Sequence, residues 1–197
     1  MDSKEKFNLA HHEGGHTVVG CAQGFELEFV TIVPAPGASE GSTKFVPEEV
    51  PETEAVNTAE RRLVSTFAGF VGAVVCYVES NPTLSDEEIN QHIETQLQVA
   101  GFNRKDGEKG DAAEIRELLK ILQEAGQDPD ACKLWAIQKA NYYVSHNLAA
   151  IKALATNLLQ RETLWWWEVN AILKPFKIVA RRGPAGDVPM SYREMYR

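Results

Sequence analysis

The stretch Ala10-His11-His12-Glu13-Gly14-Gly15-His16-Thr17-Val18-Val19-Gly20 decides what kind of protein this is. His12 and His16 are four residues apart, so on a helix their imidazoles share one face. Two rings so placed can both reach one metal ion at about 2.0–2.1 Å. Glu13 points away from that pair as a ligand. It stands beside the open coordination position, where it can take a proton from a water whose pKa the ion has lowered to about 7. His12 and His16 are therefore the expected zinc ligands, with Glu13 as catalytic base. His11 projects about 100° from His12 and reads as an additional helix residue.

The surroundings suit that reading. Asp2 and Glu5 are spaced as a capping box, and Gly24 offers a stop, so a first helix is expected over residues 3–24. Gly14 and Gly15 each weaken a helix by about 1 kcal/mol relative to Ala. Two of them in mid-helix point to close approach by another element or by substrate. Residues 25–33 (FELEFVTIV) read as a strand closed by Pro34, and residues 43–46 as a second short strand after a loop over 34–42.

The rest is helical. After a Pro/Glu-rich loop at 47–56, Asn57 and Glu60 are spaced to open a helix running to Glu79. Ala68, Gly69, Gly72 and Ala73 give that helix a face another backbone can approach. Ser85 with Glu88 opens the next helix to Ala100, followed by a charged loop over 102–110. Asp111 with Glu114 opens one ending near Gly126. Asp128-Pro129 marks a strong start, with helices at 129–145, 148–160 and 163–173. The expectation is an α+β fold, mostly helical, with a small N-terminal sheet and a C-terminal helical bundle. Residues 1–175 form one zinc domain, and 176–197 a tail that is extended from Pro184.

Composition narrows the function. The chain has 197 residues and a net charge of -8, with scattered basic residues, which argues against a nucleic-acid or anionic-membrane surface. Cys21, Cys76 and Cys132 form no CxxC pair and read as small buried hydrophobes. No secretory signal and no apolar run of about 18 residues is apparent, so no membrane span is expected. A cytoplasmic location is the expectation.

A catalytic zinc needs a third protein ligand. The extension that would place Gly and His after the motif fails, because Val19 and Ala22 occupy those positions. His92 and His146 lie on expected helices and read as core or surface residues. Glu124 and Asp128 have a usable spacing, but Gly126 between them and Pro129 after them fit a helix end and a new cap better. Asp111 is the stronger candidate, although a cap role fits it equally well. The two roles are compatible, because a carboxylate has two oxygens.

The run from Ala10 to Gly20 resembles the peptidase domain of the FtsH family of ATP-dependent zinc metalloproteases, whose motif reads H-E-A-G-H-A. Val30-Thr31-Ile32-Val33-Pro34 resembles that family's V-T-I-x-P strand. Gly110-Asp111-Ala112-Ala113-Glu114-Ile115 resembles the segment that supplies its third ligand. The resemblance covers roughly residues 7–175 and implies a zincin-like, FtsH-peptidase-type fold, with Zn2+ held by His12, His16 and Asp111. It also implies an extended substrate along the strand edge, with Thr31, Ile32 and Val33 or the following loop lining the groove. Phe67-Ala68-Gly69-Phe70-Val71-Gly72-Ala73 stands where the family carries L-G-G-R-A-A-E, so an Arg and a Glu are lost. No phosphate-binding glycine loop is present in this chain.

Two functions follow as expectations. One is a zinc metalloendopeptidase, ATP-independent on its own, that acts on peptides or unfolded chains. The other is a catalytically idle relative that keeps zinc to bind or regulate a partner protein; the intact Glu13 favours the first. Trp165-Trp166-Trp167 cannot all face one core, since successive helical side chains diverge by about 100°. That region is either packed between several helices of this chain or the contact for a second copy or a separate partner protein.

Overall fold

The computed structural model describes residues 2–34, 41–99 and 110–180. Its first helix, α1 (Ser3–Ala22), opens with the expected capping box: the Asp2 carboxylate accepts from the Glu5 amide at 2.8 Å, and the Glu5 carboxylate accepts from the Asp2 amide at 2.7 Å. Gly24, at φ 91°, turns the chain out of the helix into β1 (Leu27–Thr31). Strand β2 (Ser42–Phe45) pairs antiparallel with β1.

The long helix α2 (Ala55–Ser80) begins earlier than Asn57 and Glu60 imply. A short 3-10 turn at Glu52–Glu54 leads straight into it, so Asn57 lies inside the helix rather than capping it. Leu63, Val64, Phe67, Ala68 and Val71 are buried. By length and composition α2 could cross a membrane, a property the sequence reading passed over, yet most of its apolar window is buried inside the fold. It packs against α1, α3 (Asp86–Val99), α4 (Asp111–Glu124) and α5 (Pro129–His146). A central core helix meets the same composition test as a membrane span.

Asp128 caps α5 through the Ala131 amide at 3.0 Å. Helix α6 (Leu148–Arg161) lies against α1. It ends at Glu162, the only non-glycine described residue with positive φ, at 64°. The chain then makes a strand where a helix over 163–173 is expected. Strand β3 (Thr163–Trp165) pairs with β1, and only then does α7 (Trp166–Leu173) start. Thr163 and Leu164 are β-branched or apolar and seat on β1, with Leu164 fully buried. The helical spacing of the following Trp residues hides so short a strand.

The sheet is thus three-stranded, ordered β2-β1-β3, and draws its third strand from the C-terminal half. Mostly helical with one small antiparallel sheet, the chain is α+β. The first residues of the expected tail are anchored: Val179 donates its amide to Asn147 Oδ1 at 2.7 Å, and Phe176 and Ile178 pack on the core. Most of the expected loops over 34–42 and 102–110, the expected helix end at Ala100 and the expected tail from 181 onward lie outside the described residues. Cys76 and Cys132 are buried and unpaired, and burial pushes their thiols up to about 12 and about 11.

Candidate metal centre

α1 and α2 set the geometry of the site. Ser65 on α2 accepts a hydrogen bond from His16 Nδ1 at 2.9 Å. This fixes the neutral ring's tautomer, so His16 Nε2 presents a lone pair to the interior. His12 Nε2 lies 3.0 Å from His16 Nε2. Asp111 completes the triangle, its Oδ2 3.0 Å from His12 Nε2 and 3.1 Å from His16 Nε2. His12 and His16 are buried, and the Asp111 side chain is 20% exposed.

Asp111 is not the cap of α4. Gly110 is the N-cap, with φ 123°, a conformation side chains resist, and no side chain bonds there. The Glu114 amide donates to the Gly110 carbonyl at 3.1 Å instead of to an Asp111 oxygen. The carboxylate of Asp111, the first residue of α4, is thereby released towards the two histidines. Glu124 is exposed and, among the described residues, its ion pair is with Lys120 at 3.8 Å, and Asp128 is committed to capping α5. His11 is buried, bonded through Nδ1 to the Phe7 carbonyl at 2.8 Å. His92 stacks on Tyr77, and the His146 ring lies tilted against Tyr142, centroids 4.1 Å apart.

The three donor atoms suit one cation. Tetrahedral bonds of 2.0–2.1 Å set donors about 3.3 Å apart, and the observed 3.0–3.1 Å is slightly tighter. Two imidazole nitrogens and a carboxylate oxygen this close repel unless a proton or a cation lies among them. The chain without metal uses a proton. Burial alone would lower the His16 pKa, but the Asp111 carboxylate outweighs it and pushes the ring up to about 10. Burial alone would raise the Asp111 pKa, yet His16 and His12 hold it well below the usual carboxylate range. A dication could take the place of that proton at the same focus of charge. Imidazole and carboxylate together suit zinc, and suit other divalent ions as well.

Glu13 faces the same cavity, a cleft of about 570 Å³ also lined by Ser42, Thr43, Phe45, Arg62 and Glu114. Its side chain is buried, and burial raises its pKa, against the opposing pull of His16, His12 and Thr43. Of the expected groove, Gly41 and Ser42 from the loop after β1 line the cleft, whereas Thr31, Ile32 and Val33 do not. Thr31 pairs with Ser42 on one side and Thr163 on the other, so β1 is the central strand. Ile32 is buried, and its amide donates to the Glu162 carbonyl at 2.8 Å. Val33 is exposed but does not line the cleft. The strand edge beside the site belongs to β2. Only the missed strand β3, which occupies the second edge of β1, reveals this.

No family model matches the chain. The ATP-dependent zinc metalloprotease FTSH 6, chloroplastic, of Arabidopsis thaliana is similar at 26% identity over 197 residues, covering 89% of this chain. The chain spans about 28% of that relative's length. The fold and site define an α+β protein with a buried His-His-Asp cluster able to hold a metal. The similarity adds a distant relationship to FtsH-type metalloproteases.

Proposed function

We propose that this chain is a zinc-dependent metallopeptidase that hydrolyses peptide bonds in peptides or unfolded proteins. In this reading Zn2+ sits among His12, His16 and Asp111, and the architecture is zincin-like and of the FtsH-peptidase type. The observation that carries it is Glu13: a buried carboxylate facing the ligand triangle from within the cleft. A site that only bound metal would need no base there.

A bound zinc would polarise the scissile carbonyl and acidify the attacking water. Glu13 accepts the proton that water loses and returns it to the leaving amine. The β2 edge runs along the cleft through Ser42, Thr43 and Lys44. Its outer backbone groups are suited to hold an extended chain by strand addition. This moves the substrate groove from β1 to β2. Folded substrates would have to be opened first, and the ATP-driven action named for the relative belongs to that longer protein.

Glu13→Gln separates binding from chemistry. The variant is expected to hold one zinc per chain and to lose hydrolysis of an unstructured protein by at least about 10²-fold. Equal hydrolysis by variant and parent would remove Glu13 from the mechanism.

One observation favours a second reading, a zinc-stabilised binding module. Trp165, Trp166 and Trp167 are 43%, 51% and 53% exposed, more apolar surface than a peptidase alone requires. Under this reading the zinc-loaded parent hydrolyses nothing, and Trp166→Ser with Trp167→Ser changes its sedimentation as a second copy is lost.

A further inference from the structure

Glu13 is held by more than its own helix. Its Oε2 accepts a hydrogen bond from the Thr43 hydroxyl at 2.7 Å, a charge-assisted length. Thr43 Oγ1 in turn lies 3.2 Å from Thr17 Oγ1, which is fully buried on α1 one turn beyond Glu13. A hydroxyl has one proton and two lone pairs. The short contact takes the Thr43 proton ahead of the Glu13 carbonyl at 3.2 Å, and Thr17 can then donate to Thr43. The order Thr17 to Thr43 to Glu13 leaves none of these oxygens without a partner.

The second carboxylate oxygen has a different neighbour. A Cβ on Gly41 would overlap the carbonyl oxygen of Thr31 and would also stand 3.0 Å from Glu13 Oε1 and 3.1 Å from its Cγ. The close approach to β1 is what requires the glycine, and the same glycine keeps a side chain off this face of the carboxylate. Gly41 and Thr43 are alternate residues, so the segment entering β2 meets Glu13 twice on one face. It pins one oxygen and makes room for the other.

We propose that Thr43 is a positioning residue for Glu13: it anchors Oε2 and thereby assigns proton transfer to Oε1. This rests on the reading of Glu13 as the base. An O–H bond of the attacking water breaks as one forms on Oε1, and the water oxygen bonds to the carbonyl carbon. The same proton passes to the amide nitrogen as the C–N bond breaks. Because Thr43 belongs to β2, the edge that would hold the peptide also aims the base.

The experiment compares Thr43→Val, which keeps the shape and removes the hydroxyl, with Thr43→Ser, which restores it. In Thr43→Val, kcat on an unstructured protein is expected to fall about 10²-fold, the cost of a misplaced catalytic group. KM and the zinc content hold, and Thr43→Ser recovers most of the rate. A second readout needs no turnover. The ¹³C carboxyl resonance of Glu13, read at one pH, is expected to move in Thr43→Val and return in Thr43→Ser. Parental kcat in Thr43→Val overturns the proposal, as does a Thr43→Ser no better than Thr43→Val. So does an unmoved carboxyl resonance. A parent that hydrolyses nothing defeats the peptidase reading instead, and the resonance alone then decides whether Thr43 anchors Glu13.

Discussion

The carbonyl of Ala68 on α2 fills the space that a Cβ on Gly15 of α1 would need, its carbon 2.9 Å from that point. The two helices therefore touch backbone to backbone beside His16, a proposed ligand. Helix propensity and packing make opposite forecasts here. Ala for Gly gains about 1 kcal/mol in an isolated helix, but backbone cannot rotate away as a side chain can. Gly15→Ala is expected to destabilise by at least about 2 kcal/mol. At Gly14 the nearest atoms are those of Ile151 at 3.4 Å, an ordinary contact. Gly14→Ala, which restores the Ala of the resembled motif, should be neutral or stabilising. Thermal unfolding of the two variants should move in opposite directions, and a stable Gly15→Ala would refute the close crossing.

Gly69 controls the metal centre without being a ligand. A Cβ there would overlap the His16 ring. That ring cannot swing aside cheaply, since Ser65 holds Nδ1 and Asp111 faces Nε2. Gly69→Ala is expected to weaken zinc affinity by about 10-fold or more, comparable to the loss of an orienting contact to a ligand. A zinc titration by competition with a chromophoric chelator reads this directly. Gly72→Ala is the comparison, because its nearest neighbours are backbone of His11 at 3.0 Å and Gly15 at 3.2 Å. It should cost stability and leave zinc affinity closer to that of the parent.

What the sequence revealed and what it withheld divide along physical lines. The placement of His12 and His16 follows from a spacing of four on one helix, a local property. The small residues of α2 could be read as an approach surface because glycine and alanine matter only where something comes close. Asp111 could not be resolved from spacing, since Asp-x-x-Glu at a helix start describes a cap equally well. Gly110 was the missed signal: as the N-cap it moves Asp111 one place into the helix. The position of Thr31, Ile32 and Val33 in the sheet is a matter of another kind. Whether β1 is an edge depends on β3, which comes 132 residues later in the Thr31–Thr163 pair and spans only Thr163–Trp165. Nothing local to β1 carries that information.

Asp111→Ala and Glu124→Ala test the ligand assignment. Asp111 contacts both histidine nitrogens, whereas Glu124 is exposed on the far turn of α4 and, among the described residues, its ion pair is with Lys120. Removing Asp111 should reduce bound zinc at least about 10-fold, while Glu124→Ala changes neither zinc content nor stability by more than about 0.5 kcal/mol. The N-cap is backbone at Gly110, so Asp111→Ala should also keep α4 helical. Metal analysis together with far-ultraviolet circular dichroism separates loss of a ligand from loss of a helix. The reverse order of zinc loss would move the third ligand to the other end of α4.

His92 gives the fold an acid-sensitive contact away from the metal. Its ring is buried against Tyr77 with centroids 3.8 Å apart, and its Nε2 is buried without a hydrogen-bond partner. Burial lowers its pKa below the ordinary value, and the nearby Lys4 adds to the effect. The unfolded chain, with His near 6.5, then binds the proton more readily than the folded one. This contribution to stability is present above about pH 6.5 and is lost as pH falls through the depressed folded value. His92→Phe keeps the stacking and removes the titration. Urea unfolding at pH 7.5 and pH 5.5 should show a smaller acid loss in the variant than in the parent. Equal losses would mean that protonated His92 finds room in the folded state, and that α3 is not held against α2 by a neutral ring.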